Sequence, residues 1–232
     1  MIPFGLHMRW QRLLFMHWPL PTSVLEPLIP RGLEVDTFRG EAWLGIVPFF
    51  MTNVHPTFLP SVPGLSAFTE LNVRTYVTSR GVPGVWFFSL EAANPIAVQL
   101  ARRGFYLPYF DARMRGDVSG RTVHFRSIRT HRGAPPATFG AHYRPLMGKP
   151  DGSVELSHFL TERYCLFAAR SDGRLYRTDV SHEVWPLQRA EVAFEVPPGA
   201  MARSLGIELP QGPPLLHYAE TLDVRAGLPY RV

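Results

Sequence analysis

The stretch "FTELNVRTYV", residues 68–77, sets Glu70, Asn72, Arg74 and Tyr76 at every second position. Alternate side chains of an extended chain share a face, so these four point one way while Leu71, Val73, Thr75 and Val77 point the other. Turned into a barrel or cleft, the polar face could do chemistry. Arg74 could grip a carboxylate through two parallel hydrogen bonds, and Glu70 could serve as an acid or a base. Turned to water, the same alternation describes an ordinary half-buried strand. A purely structural reading pairs Arg74 with Glu162 of "HFLTERYCLF".

Three other stretches carry candidate groups. "GFYLPYFDARM", residues 104–114, alternates so that Phe105, Leu107, Tyr109, Asp111 and Arg113 share a face. Pro108 removes a ladder donor in mid-run, which marks a bulge or an edge, and bulges re-aim side chains beside active sites. "GVWFFSLEA" is apolar on nearly both faces, with Trp86, Phe88 and Leu90 on one side, as expected of the wall of a filled barrel. "RLLFMHW" puts His17 beside Trp18, where a packed core histidine competes with a ligand contact. The candidate catalytic pair is therefore Glu70 and Tyr109. The candidate ligand-binding set is Arg74, Trp86, Asn72, Asp111 and His17.

These groups must be positioned by short strands. The 23 Pro and 19 Gly break the chain into pieces rich in Val, Phe, Tyr, Trp and Thr. Strands are expected over 12–18, 33–38, 42–53, 67–78, 85–91, 105–118, 122–130, 164–171, 174–180, 187–196 and 215–224. "NPIAVQLARRG" reads as a helix with Asn94 as N-cap, Pro95 at the first position and Gly104 just past its end. "PTSVLEPLIPRG" has Ser23 and Glu26 at capping-box spacing but is kept short by Pro27 and Pro30. A third short helix is expected over 155–161. Many strands with a few helices indicate one α+β, mainly-β domain over 1–232, a closed barrel or a sandwich.

Composition narrows the function classes. The longest apolar run, residues 44–51, is far short of the ~20 residues that span a bilayer. The first residues lack a leader pattern, so a mature, untargeted, cytoplasmic protein without a membrane partner is expected. A single cysteine, Cys165, excludes an intrachain disulfide and a thiolate zinc site, and its apolar neighbours suit a buried, inert thiol. The nine His form no i, i+2 or i, i+4 pair, so no metal site is expected. Phosphate-binding glycine loops, G-x-S-x-G and H-E-x-x-H are absent from the sequence, and no cofactor is expected. The net charge of +5 invites nucleic acid, but apart from Arg102–Arg103 no two basic residues are adjacent, which speaks against it. One of the 24 basic residues is a lysine, Lys149 in "MGKPDG", and the rest are arginines.

"LLFMHWPLPTSVLEPLIPRGLEVDTFRGEAWLGIVPF", "ELNVRTYV", "GVWFFSLEAANPIAVQLAR", "LPYFDARM", "FLTERYCLF" and "HEVWPLQRA" together resemble the YqjF-like family. That is a bacterial family, a domain of unknown function, in the acetoacetate decarboxylase-like superfamily. The resemblance implies a mainly antiparallel β barrel or cone with a central pocket and a few peripheral helices. In acetoacetate decarboxylase a lysine beside a second lysine, after a Gly-Phe-Pro motif that follows a helix, forms a Schiff base. Aligned on Pro108, this chain has Tyr109 and Phe110 there, and aligned on Gly104 it again has no lysine. Arginine is no substitute, because its guanidinium stays protonated. Glu70 resembles the superfamily's strand glutamate. The resemblance thus implies a small-molecule pocket, for an acidic or carbonyl-containing ligand, without Schiff-base chemistry.

Whether that pocket is an enzyme's stays open at this level. Lyase- or hydrolase-like acid–base chemistry is one reading. A non-catalytic sensor or oligomeric scaffold, assembled as a homo-oligomer, is a second, and salt-sensitive nucleic-acid binding a third.

Overall fold

The computed structural model describes residues 5–232. The leaderless reading rests in part on residues 1–4, which lie outside this range. Strands β1 (Gly5–Leu20), β2 (Glu34–Val35), β3 (Ala42–Pro56), β4 (Phe68–Ser79), β5 (Val82–Ala92), β6 (Tyr109–Ser119) and β7 (Thr122–Arg129) fill the first half of the chain. The second half carries β8 (Thr138–Leu146), β9 (Cys165–Ala169), β10 (Leu175–His182), β11 (Arg189–Val196), β12 (Leu215–Gly227) and β13 (Tyr230–Arg231). Helices α1 (Thr22–Leu25), α2 (Pro95–Gly104), α3 (Val154–Thr161) and α4 (Gly199–Arg203) lie in the connections. The mainly-β architecture with few, short helices is the one the sequence indicates.

Seven strands, in the order β5-β9-β10-β12-β1-β3-β4, close into a barrel when β4 pairs back onto β5. Most joins are antiparallel, but β5 meets both β9 and β6 in parallel. From β5 the sheet continues outward through β6, β7, β8 and β11. This extension folds over the barrel wall. Leu14, Met16, Ile46, Leu71 and Val73 from the wall pack with Phe125, Phe139 and Tyr143 from the extension in the largest buried cluster. A second cluster fills the barrel interior with Leu13, Phe15, Val47, Phe49 and Trp185. The Tyr143 hydroxyl donates to the Arg12 carbonyl at 2.8 Å, tying the extension to a kink in β1 where Arg12 is left-handed, φ 55°.

Local signals mostly placed the elements, with instructive misses. Asn94 caps α2 by accepting from the Ile96 and Ala97 amides, with Pro95 in the first turn. Gly104 is the last helical residue rather than the stop, and the chain turns at Tyr106, φ 57°. Tyr106 is held in this uncommon conformation by its contacts with Tyr176 and the Arg170 guanidinium. Consequently β6 begins at Tyr109, and Pro108 stands at the strand's entrance instead of bulging its middle. The Ser23–Glu26 capping box does not form. Pro21 occupies the N-cap position of α1, and Glu26 starts a 3₁₀ turn that contains Pro27. Strand β8 lies outside the expected strands, and its Gly140 and Pro145 are both paired with β11.

The parallel seam that closes the barrel, Val85 against Leu166, has no room to spare. A Cβ built on Gly84 would stand 2.7 Å from the Phe167 ring and 2.8 Å from the Cys165 sulfur. Gly84→Ala should therefore destabilise by about 1–3 kcal/mol, the usual cost of overpacking. In thermal unfolding that is a Tm drop of roughly 2–10 °C. An unchanged Tm would show that the seam yields.

Candidate functional site

Closure of the ring decides which way β4 faces. Leu71 and Val73 point outward into the large cluster, while Glu70, Asn72 and Arg74 line a cavity of about 470 Å³ inside the barrel. All three are buried. Tyr109 reaches the same cavity from the start of β6, and its hydroxyl donates to Glu70 Oε2 at 2.8 Å. Phe105 and Leu107, although not in a strand, also line it.

Two neighbouring carboxylates on the barrel wall meet different fates. Glu91 points outward from β5 and is bound by Arg129 of β7, whose Nε donates at 2.9 Å and whose Nη2 is closer still. Glu70 points inward and has no basic partner among the described residues. Burial pushes its pKa from 4.5 up to about 8, against the opposing hydrogen bonds from Tyr109 and Asn72. At neutral pH Glu70 is therefore a neutral carboxylic acid, able to donate a hydrogen bond. Burial, with Glu70 adding to it, pushes the Tyr109 hydroxyl well above the usual tyrosine range, so it too remains a donor.

Arg74 is the complementary oddity. Its guanidinium makes no ion pair among the described residues, and its Nε has no hydrogen-bond partner. The expected Glu162 pairing is absent. Glu162 instead accepts from the Trp185 amide at 3.0 Å and from the Tyr164 hydroxyl. Arg74 is supported by ring faces, with its central carbon 5.2 Å from the Phe15 ring and 5.7 Å from the Tyr76 ring. Two long contacts of 3.4 Å, to the Tyr76 hydroxyl and the Leu160 carbonyl, complete its surroundings.

His17 stands one layer behind. Its Nε2 is 2.6 Å from the Tyr76 hydroxyl. Burial, reinforced by the Arg74 charge, holds the imidazole well below its ordinary pKa and so neutral. The chain Arg74–Tyr76–His17 crosses β3 only because Gly45 lies between. A Cβ there would come within 3.1 Å of the imidazole and 3.3 Å of the Arg74 stem.

Not every sequence candidate converges here. A register shift in the β4–β5 ladder, between Val73 and Arg74, brings Phe87 and Leu90 inward. Trp86 is left packing outside with Leu33, Val77, Cys165 and Phe167, and does not line the cavity. Asp111 lies beyond the cavity, its carboxylate 2.9 Å from His131 Nδ1. Cys165 donates to the Pro83 carbonyl, and burial pushes its thiol up to about 11, which suits an inert role. Among the described residues no group of three or more His, Cys, Asp or Glu could hold a metal, and no helix is long and apolar enough to cross a membrane. The sequence reading missed the cavity residues contributed by β3, β10 and α2. The doublet Ile96–Leu100, four apart and off the Val98 face of α2, was the available signal.

Residues 7–223 match the family DUF2071, described as an uncharacterized conserved protein. The chain is 43% identical over 216 residues to the uncharacterized protein YqjF of Bacillus subtilis (strain 168), covering 93% of this chain and 87% of that one. Among solved structures, an acetoacetate decarboxylase-like enzyme from Sphingomonas wittichii RW1 superposes with a TM-score of 0.67 at 13% identity, over 98% of this chain and 93% of that one. Acetoacetate decarboxylase from Legionella pneumophila gives 0.65 at 16%, over 98% and 87%. The enduracididine biosynthesis enzyme MppR complexed with pyruvate gives 0.66 at 12%, over 98% and 90%. At these identities the likeness is one of fold.

The raised pKa of Glu70 has a direct consequence. Its contribution to stability is fully present below pH 4.5 and is lost as pH rises through about 8, because only the unfolded state ionises freely in between. At 1.36 kcal/mol per unit the full loss is on the order of 5 kcal/mol. Urea unfolding at pH 5 and pH 9 should show that loss in the wild type and its removal in Glu70→Gln. Parallel pH profiles would place an ionised carboxylate at Glu70.

Proposed function

This chain belongs to the DUF2071 family of uncharacterized conserved proteins, and from its cavity we propose that it binds a small carboxylate-bearing ligand without forming a Schiff base. The observation that carries this reading is Arg74, a cavity-lining residue whose buried guanidinium has no acidic partner among the described residues. An uncompensated buried charge is costly, and a ligand carboxylate bound through two parallel N–H donors would offset it. Glu70, a neutral acid that accepts from the Tyr109 hydroxyl, would donate its own proton to a carbonyl or hydroxyl elsewhere on the ligand, and could move it there. Pyruvate, the ligand named for MppR, belongs to that class of oxo acids.

The amine chemistry has no visible agent. Lys149, the one lysine of the chain, is exposed in the bend after β8 and does not line the cavity. A small acid is also favoured over a polyanion by the surface charges. Arg9, Arg144, Arg177 and Arg189 are each ion-paired to a neighbouring carboxylate.

A thermal-shift screen with pyruvate, levulinate, butyrate and hexanoate tests the reading, with product analysis on every hit to detect turnover. A ligand at 100 times its Kd adds about 2.7 kcal/mol, which for a chain of this size is roughly 5–10 °C. Arg74→Met should fold, since replacing a buried charge by a similar apolar volume is tolerated, and should abolish the shift. Equal shifts in wild type and Arg74→Met would overturn the assignment of Arg74.

A further inference from the structure

The polar groups named above account for a small part of the cavity wall. A volume of about 470 Å³ lies in the usual range for small-molecule sites, roughly 300–1,000 Å³, and is far more than a pyruvate-sized acid fills. Most of the remaining wall is hydrocarbon, including Leu13, Val47, Phe49, Val180 and Val224. Met8 and Met51 add flexible thioethers that adapt to an irregular or mobile guest.

The rim continues the same chemistry into solvent. Leu59, Val62 and Leu65, from the segment between β3 and β4, line the cavity although 60%, 49% and 41% exposed. From α2, Ile96 and Leu100 also line it at 55% and 67% exposure. Side chains that line a cavity and yet stand in water mark its mouth, and an apolar cluster there is the kind that marks a ligand groove.

The polar residues near that mouth are already engaged. Asn94 caps α2 and donates to the Leu65 carbonyl at 3.0 Å, which ties the rim segment to the helix. Ser66 Oγ accepts from the Val62 amide at 2.7 Å, and His55 Nδ1 is 2.9 Å from the Pro56 carbonyl. The cavity thus has a cation at Arg74, a hydrogen-bond donor at Glu70 oriented by Tyr109, and an apolar route leading away to a rim braced by its own hydrogen bonds.

We infer that the ligand is an aliphatic carboxylic acid of medium or long chain. Its carboxylate is held at Arg74, and its alkyl chain runs along the apolar wall to emerge between α2 and the rim segment. This rests on the acid-binding reading above and adds the class of ligand to it.

Calorimetric titration with acetate, butyrate, hexanoate, octanoate and decanoate, each below its micellar concentration, tests the inference. Burial of one methylene carries a factor of about four in affinity, so Kd should fall about fourfold per carbon until the chain reaches the rim. Leu100→Glu, at an exposed position, should flatten that dependence by placing a charge where the chain emerges. Acids that bind with a Kd independent of chain length would overturn the aliphatic ligand and leave the acid-binding reading standing. Failure of every acid to bind would remove both. A chain-length dependence that is equally steep in Leu100→Glu would overturn the proposed exit.

Discussion

Strand β4 is hydrogen-bonded along both edges, to β3 and to β5, within a ring that closes on itself, so the side chains of its inner face meet the cavity instead of bulk water. Every unusual property of the site follows from that enclosure. A carboxyl group that would ionise on an open sheet stays protonated at Glu70, because desolvation outweighs the hydrogen bonds that favour its charged form. A guanidinium that would be screened at the surface is held at Arg74 against aromatic faces. The same low-dielectric surroundings keep His17 neutral beside it.

The wall of the barrel separates two uses of the same residue types. On its outer side Glu91 and Arg129 satisfy one another between β5 and β7, joining the barrel to the sheet that extends from it. On its inner side Glu70 and Arg74 line the cavity without a basic or acidic partner among the described residues. A matched pair consumes its own hydrogen-bonding capacity and is structural. An acid and a cation kept apart retain that capacity for a third party. Gly45 maintains the arrangement from below, since a larger residue in β3 would push on both His17 and the Arg74 stem.

Much of this was legible in the residues. The alternation of "FTELNVRTYV" put Glu70, Asn72, Arg74 and Tyr76 on one face, and the first three line the cavity while Tyr76 packs beside it with Trp43, Val85 and Leu160. Turn and capping residues located most strands and α2. Trp86 packs outside the cavity because β5 carries one extra residue opposite Val73 and Arg74, and a bulge is a property of two paired strands that "GVWFFSLEA" alone does not announce. Strand β8 is likewise set by pairing, since its Gly140 and Pro145 stand opposite β11.

The sequence by itself determined the class of fold, the periodicity that segregates polar from apolar residues along β4, and the use of a single lysine, Lys149. Those are local facts, set by residue types and spacings of two and four. Tertiary structure decided which side of β4 is inside, that Arg74 lacks an acidic neighbour among the described residues while Arg129 has one, and that Tyr109 reaches Glu70 across 39 positions of chain. Burial and pairing are relations between distant segments, and desolvation acts only once the ring has closed.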